Sequence, residues 1–285
     1  MAEWIETYRG TVPSWETDIT EHFTIAYYFD RLEAAEANLA EALGLFDLYR
    51  GGGFARRYDL RFPRELRAGG SFHIVGAVLG IEDGGALRLG HRFVDSFSGE
   101  TVTWVDSAWE LPAGALAAAR RDALLGRVAA WEGPAAEVRP EPQSQAGFIP
   151  TARGRVKPAD LDANGRFGLA AFVHKFTDSC VQAGAAFGMT AEWLHANRRG
   201  FSTFELNLRI VGELRLDEPY LVETGIAHLG NSSLRFVHRM SNPRNGTEVA
   251  RLGQYGVNLD LDARRPARLS DELRARAEAL VIPAA

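Results

Sequence analysis

The second half of this chain repeats the first. Asp18 and Gly44 recur as Asp162 and Gly188 at an offset of 144 residues. Glu65-Leu66-Arg67 recurs as Glu213-Leu214-Arg215 at 148, while Leu87-Arg88, His91-Arg92 and Gly99 recur as Leu234-Arg235, His238-Arg239 and Gly246 at 147. Offsets that drift by a few residues are what loop-length differences between two copies of one unit produce. A duplication constrains the fold more than any local pattern does. Whatever one half builds, the other must build too, and 285 residues divide into two units of about 140 each.

The plan of one unit follows from its periodicity. Ile25, Tyr28, Phe29, Leu32, Ala35, Leu39, Ala42 and Leu43 recur at steps of three and four, predicting a long amphipathic helix from near Phe23 to Gly44. In the second copy Leu169, Phe172, Val173, Phe176, Cys180, Ala183 and Phe187 do the same. A first strand is expected within Tyr8–Trp15, and from Phe54 to Glu110 the period changes to two, with Gly84-Gly85 and Ser98-Gly99 as hairpin turns. Leu116–Trp131 is alanine-rich and reads as a trailing helix, and four prolines between Gly133 and Pro150 mark a linker. The expected division is residues 1–133, a linker over 134–150, and 151–285. The fold class is α+β, with each copy a long helix wrapped by an antiparallel sheet. One such sheet has an open edge, which predicts that the fused copies pair as a pseudo-dimer with a ligand cleft at their interface.

Composition limits the partners. A net charge of −5 without a basic stripe argues against nucleic acid. Of 32 basic residues, 30 are arginine, a bias that looks genomic. The single cysteine, Cys180, excludes an internal disulfide and makes a reducing compartment the default. The N-terminus lacks a signal-peptide pattern and no apolar run approaches the roughly 20 residues of a membrane span, so a soluble cytoplasmic protein with no membrane partner is expected.

Asp18, Glu21 and His22 place three titratable groups just before the first long helix. The amides of Phe23, Thr24 and Ile25 fall where a helix leaves N–H groups without intrahelical partners. A carbonyl held there would be polarised, and a carboxylate nearby could activate water or attack directly. Spacing alone equally allows Asp18 and His22 to do no more than cap the helix. The second copy keeps Asp162 and Gly165 but has Arg166 in place of His22. Either Arg166 pairs with Asp162, leaving the second turn structural or ligand-binding, or both aspartates act; the sequence favours one site at Asp18.

Read as Asp18, His22, Thr24, Tyr28, Leu32, Glu33 and Ala35, this stretch resembles the D-x-x-G-H-x-N-x-x-x-Y-x-x-x-F-E-x-A pattern of hotdog-fold acyl-CoA thioesterases, and is most similar to the 4-hydroxybenzoyl-CoA thioesterase type. Glu21 stands where the family has glycine, and Thr24-Ile25 replaces an asparagine pair. The resemblance, with its second copy, implies a double hotdog that hydrolyses acyl-CoA without a metal or organic cofactor, and homo-oligomers of such units are open to it. It implies a catalytic role for Asp18, with His22 as support and Asp162 as the second candidate. It further implies substrate contacts at Phe23, Thr24, Ile25, Tyr28 and Arg166, with Glu33 an alternative carboxylate. A non-catalytic acyl-CoA binder is the alternative, then a hotdog hydratase or dehydratase, although no Asp-x-Asn-Pro-x-x-x-His turn is present.

Elsewhere the signals are weaker. His91 and His238 read as satisfied strand histidines, Cys180 as a core residue, and Gly51-Gly52-Gly53 as a connection lacking the lysine of a phosphate loop. Arg56, Arg57, Arg61 and Arg67 fit either the phosphates of CoA or a solvated strand face.

Overall fold

The computed structural model describes residues 4–52, 55–135, 137, 139–142 and 144–283. Gly53 and Phe54, at the start of the expected strand region, lie outside the described residues. The chain divides into two compact units, residues 1–136 with 209–212, and residues 137–208 with 213–285.

In the first unit, strand β1 (Ile5–Thr11) leads through a 3-10 turn (Ser14–Glu16) to helix α1 (Ile25–Ala42) and the short helix α2 (Phe46–Gly51). Strands β2 (Ala55–Arg61), β3 (Ser71–Ile81), β4 (Leu87–Asp95) and β5 (Thr101–Glu110) follow, then helix α3 (Ala118–Leu125). The strands lie in the order β1-β3-β4-β5-β2, every pair antiparallel. The first strand starts and ends earlier than expected, because Pro13 lacks the N–H a ladder needs and Trp15 enters the 3-10 turn. The trailing helix covers only the middle of Leu116–Trp131, since Gly126 ends it and Ala129 then donates to the Val78 carbonyl at 2.8 Å.

The second unit repeats this element for element. Strand β6 (Ile149–Arg155), a 3-10 turn (Pro158–Asp160), helix α4 (Leu169–Ala186), helix α5 (Ala191–Asn197), strands β7 (Arg199–Ile210), β8 (Pro219–Leu229), β9 (Ser233–Asn242) and β10 (Thr247–Asp260), and helix α6 (Asp271–Glu278) come in the same order. A two-residue strand β11 (Arg265–Pro266) pairs with β10. The sheet order is β6-β8-β9-β10-β7. The repeat therefore includes the trailing helix, which the sequence pattern had indicated only in the first half. Residues 280–282 take the place of Ala129, bonding both ways with Ile226 at 2.8 Å.

Each long helix buries its apolar stripe on its own sheet. Phe29, Leu32 and Leu39 are fully buried in α1, and Phe176 and Phe187 are equally buried in and just after α4. Both helices are 18 residues long. Gly44 and Gly188 follow them at φ 68° and 108°, the positive values that a glycine adopts without strain.

The proline-rich segment is not a free tether. Ile149 and Pro150 already belong to β6. Before them, the chain lies on the second unit. Arg235 donates to the Pro140 carbonyl at 2.9 Å, Arg239 donates to Gln145 and stacks over Phe148, and Arg139 forks onto the buried Glu205 at 2.7 Å through both Nε and Nη2.

Candidate active site

The turn before α1 is built by Asp18. Its Oδ1 accepts from the Thr20 amide at 2.8 Å, the Thr20 hydroxyl at 2.5 Å and the His22 amide at 3.2 Å. The main chain closes the loop, with Asp18 N–H donating to the His22 carbonyl and Glu21 N–H to the Asp18 carbonyl, both at 2.9 Å. Asp162 repeats the arrangement. Its Oδ1 accepts from the amides of Asn164 and Arg166 at 2.8 and 3.0 Å, and the same two main-chain bonds close at 2.7 and 3.0 Å. The third residue after the aspartate has φ 64° at Glu21 and 73° at Gly165. Glu21 thus keeps the glycine geometry, with its carboxylate on Arg67 at 2.9 Å.

A second device fixes each turn to its helix. Arg31 of α1 grips Glu16 at 2.6 and 2.8 Å, and the Glu16 carbonyl receives the Thr24 amide at 2.9 Å. In the second copy Lys175 meets Asp160 at 2.9 Å, and the Asp160 carbonyl receives the Gly168 amide at 2.8 Å. Both positions are displaced by 144 residues from the first pair.

These bonds alter the expected roles of the helix-start amides. Phe23 N–H donates to the Leu66 carbonyl at 2.8 Å and Thr24 N–H to Glu16, so neither is available to a substrate carbonyl. The 3-10 turn and the β2–β3 loop have taken them, leaving the Ile25 amide, which has no acceptor among the described residues. Tyr28 is a core residue, 4% exposed, with its ring 4.7–5.2 Å from those of Phe23, Phe93 and Phe62. Burial pushes its phenol pKa upward.

The two turns differ where chemistry could occur. Asp18 is exposed, and its Oδ2 accepts no hydrogen bond among the described residues. In Asp162 the same oxygen accepts from Arg166 Nε and Nη2 at 3.3 Å. His22 stands where Arg166 does, and its Nε2 lies 2.8 Å from Glu65 Oε1. Glu65 was not among the sequence candidates. Its signal was the Glu-Leu-Arg repeat, read only as a register marker. The site therefore gathers an accessible carboxylate oxygen, an imidazole oriented by a second carboxylate, and one helix-start amide. Among the described residues, no group of three or more His, Cys, Asp and Glu could hold a metal ion.

The carboxylate that α1 buries is Glu36, not Glu33. Glu36 is completely buried, with Oε2 3.0 Å from the Tyr58 hydroxyl and Oε1 3.4 Å from Trp109 Nε1. Burial raises its pKa to about 7, against the pull of the nearby Arg56. Glu33 is half-buried, and its main-chain carbonyl accepts from the Tyr49 hydroxyl at 3.1 Å. Two of the arginines weighed for CoA phosphates are engaged, Arg57 of β2 with Glu82 at 2.7 Å and Arg67 of the β2–β3 loop with Glu21.

The paired histidines part company. His238 shares a 2.7 Å hydrogen bond with Thr224, which in turn meets Thr151 at 2.8 Å. His91 faces Gly76 across the β3–β4 ladder, and neither of its ring nitrogens has a partner among the described residues. The expectation of a satisfied histidine fails at His91 because the hydroxyl has no counterpart. A Cβ on Gly76 would come within 3.1 Å of the ring.

Comparison with known proteins identifies this architecture. Residues 156–277 match the family model described as Thioesterase-like superfamily. The second unit carries the thioesterase-like sequence. No curated protein matches the chain. Solved structures match over nearly its whole length. An acyl-ACP thioesterase from Bacteroides thetaiotaomicron covers 87% of this chain and 96% of its own at 12% identity and TM-score 0.64. A 12:0-ACP thioesterase from Umbellularia californica covers 88% and 92% at 15% identity, again with TM-score 0.64. At such identities the likeness establishes the fold, two tandem hotdog units, and the thioesterase-like match falls on the second of them.

Proposed function

We propose that this chain hydrolyses an acyl-CoA thioester, with one working site at the start of α1. The observation that carries the reading is the contrast between two superimposable turns, one with a free carboxylate oxygen on Asp18 and one with that oxygen held by Arg166. The thioester carbonyl lies at the Ile25 amide, where the positive end of the helix polarises it. Asp18 Oδ2 takes a proton from water as the water oxygen bonds to the acyl carbon. The tetrahedral intermediate then expels the thiolate with cleavage of the C–S bond. Asp18 returns its proton to the leaving sulfur, and His22, held by Glu65, supports the turn as a polar neighbour. Water is the only co-reactant, and no oxidation state changes.

A binder without turnover is the second reading, and the occupied amides of Phe23 and Thr24 favour it. Thiol release from a panel of acyl-CoA and acyl carrier protein thioesters decides between them. Wild type is expected to turn over at least one acyl-CoA. Asp18→Asn should lower kcat at least 100-fold, while Asp162→Asn leaves it within about threefold. Equal losses in both variants would mean two sites. Binding with no thiol release from any thioester would exclude hydrolysis.

A further inference from the structure

Glu36 is a buried carboxyl that the proposed reaction does not use. It sits in the middle of α1, eleven residues after Ile25, which puts it about 16 Å along the helix from the site. Polar and charged groups reach it from several elements. Strand β2 brings Tyr58 and Arg56, β5 brings the Trp109 indole, α2 brings Tyr49, whose ring lies 5.7 Å from Trp109, and α1 itself carries Glu33 one turn earlier. The second copy has nothing like it. At the corresponding offsets stand Cys180 for Glu36, Leu206 for Tyr58, Phe204 for Arg56 and Gly256 for Trp109. Because the long helix of that copy buries no acid, packing such a helix on its sheet does not itself require one.

We propose that Glu36, Tyr58 and Trp109 form a proton-operated latch that ties α1 to strands β2 and β5 in the first unit alone. The two protonation states use the same three side chains differently. As a neutral acid, Glu36 donates from Oε2 to the Tyr58 oxygen and accepts the indole N–H at Oε1, so no charge is buried. As a carboxylate it accepts from both, and it keeps a charge in a site with no exposed surface, which Arg56 only partly offsets. The neutral form is the stronger tie. Burial raises the carboxyl toward neutrality, so the tie loosens across the pH range in which a cell operates. The latch belongs to the helix whose first turn carries Asp18, and it stands independently of the hydrolysis reading.

Denaturant unfolding at pH 6.0, 7.0, 8.0 and 8.5 tests it, comparing wild type with Glu36→Gln. Glutamine can accept from Trp109 and donate to Tyr58 but cannot ionise. Relative to Glu36→Gln, wild type should show its unfolding midpoint falling from pH 6.0 to 8.5, because the other titrating groups are common to both chains. Parallel pH profiles would overturn the proposal. If Glu36→Gln does not fold, Tyr58→Phe removes a donor that the carboxylate uses more than the acid does. It should steepen the fall, and an unchanged slope would count equally against the latch.

Discussion

Glu21 holds a backbone conformation that favours glycine, at φ 64°, and the second copy has glycine at the same place. Its ion pair with Arg67 is exposed and contributes little. Glu21→Gly should therefore raise unfolding stability by about 0.5–1 kcal/mol, as read by denaturant titration. His91 offers a sharper test. A buried imidazole without a partner costs about 1–3 kcal/mol, so His91→Leu should stabilise the first unit. The matching His238→Leu should destabilise the second, because it removes one of the two partners of the buried Thr224 hydroxyl, leaving Thr151 alone. Asp18 and Asp162 were visible in the sequence because a carboxylate four residues before a helix-start His or Arg is a local pattern. Glu36 was not, although the signal existed. It lies four residues after Leu32 and three before Leu39, on the apolar stripe itself, where a glutamate has to find buried donors. Those donors come from strands that only the folded sheet brings near.

At the scale of elements, the paired ion bridges Glu16–Arg31 and Asp160–Lys175 hold the same joint in both copies. Each partner is mostly buried, with side-chain exposures of 10% and 15% in the first pair and 12% and 18% in the second. Removing one member of such a pair leaves a poorly solvated charge and costs about 3 kcal/mol or more. Arg31→Met and Lys175→Met should each lower stability on that scale, measured by denaturant midpoints. In Arg31→Met, thiol release should fall as well, because the Thr24 amide and the helix start hang on Glu16. The long helices and the period-two strands were legible because burial on one face imposes a repeat. The joints were not. Their partners are 15 residues apart, a spacing that has no meaning until the 3-10 turn folds back on the helix. The same holds for the amides of Phe23 and Thr24. A helix start predicts unpaired N–H groups, and it was the neighbouring loops that took two of them.

At the scale of the whole molecule, two kinds of buried group set opposite limits on stability. Burial depresses His91 and His238 to about 3. Their contribution is present above the unfolded value of about 6.5 and is lost as pH falls from there toward 3. Glu36 is raised from 4.5 to about 7. Its contribution is complete below its unfolded value and is lost as pH rises through 7. Two histidines against one glutamate should thus put the maximum near pH 7, with a steep acid limb, shallower in His91→Leu, and no further gain above it. A midpoint that rises steadily from pH 5 to 9 would contradict this. The duplication was legible as a whole because it rests on order and spacing, which survive when individual residues diverge. What diverged, His22 against Arg166 and Glu36 against Cys180, is where the two units cease to be equivalent.

The twin turns have one more consequence. Residues 18–24 and 162–168 share the same closing main-chain bonds, the same Oδ1 acceptor and the same left-handed third residue after the aspartate. They are interchangeable parts. A chain in which the two heptapeptides trade places should fold with both joints intact. The chemistry proposed for the first turn would then move to the other repeat, so the molecule already carries the fitting needed to rebuild that proposed site elsewhere in itself.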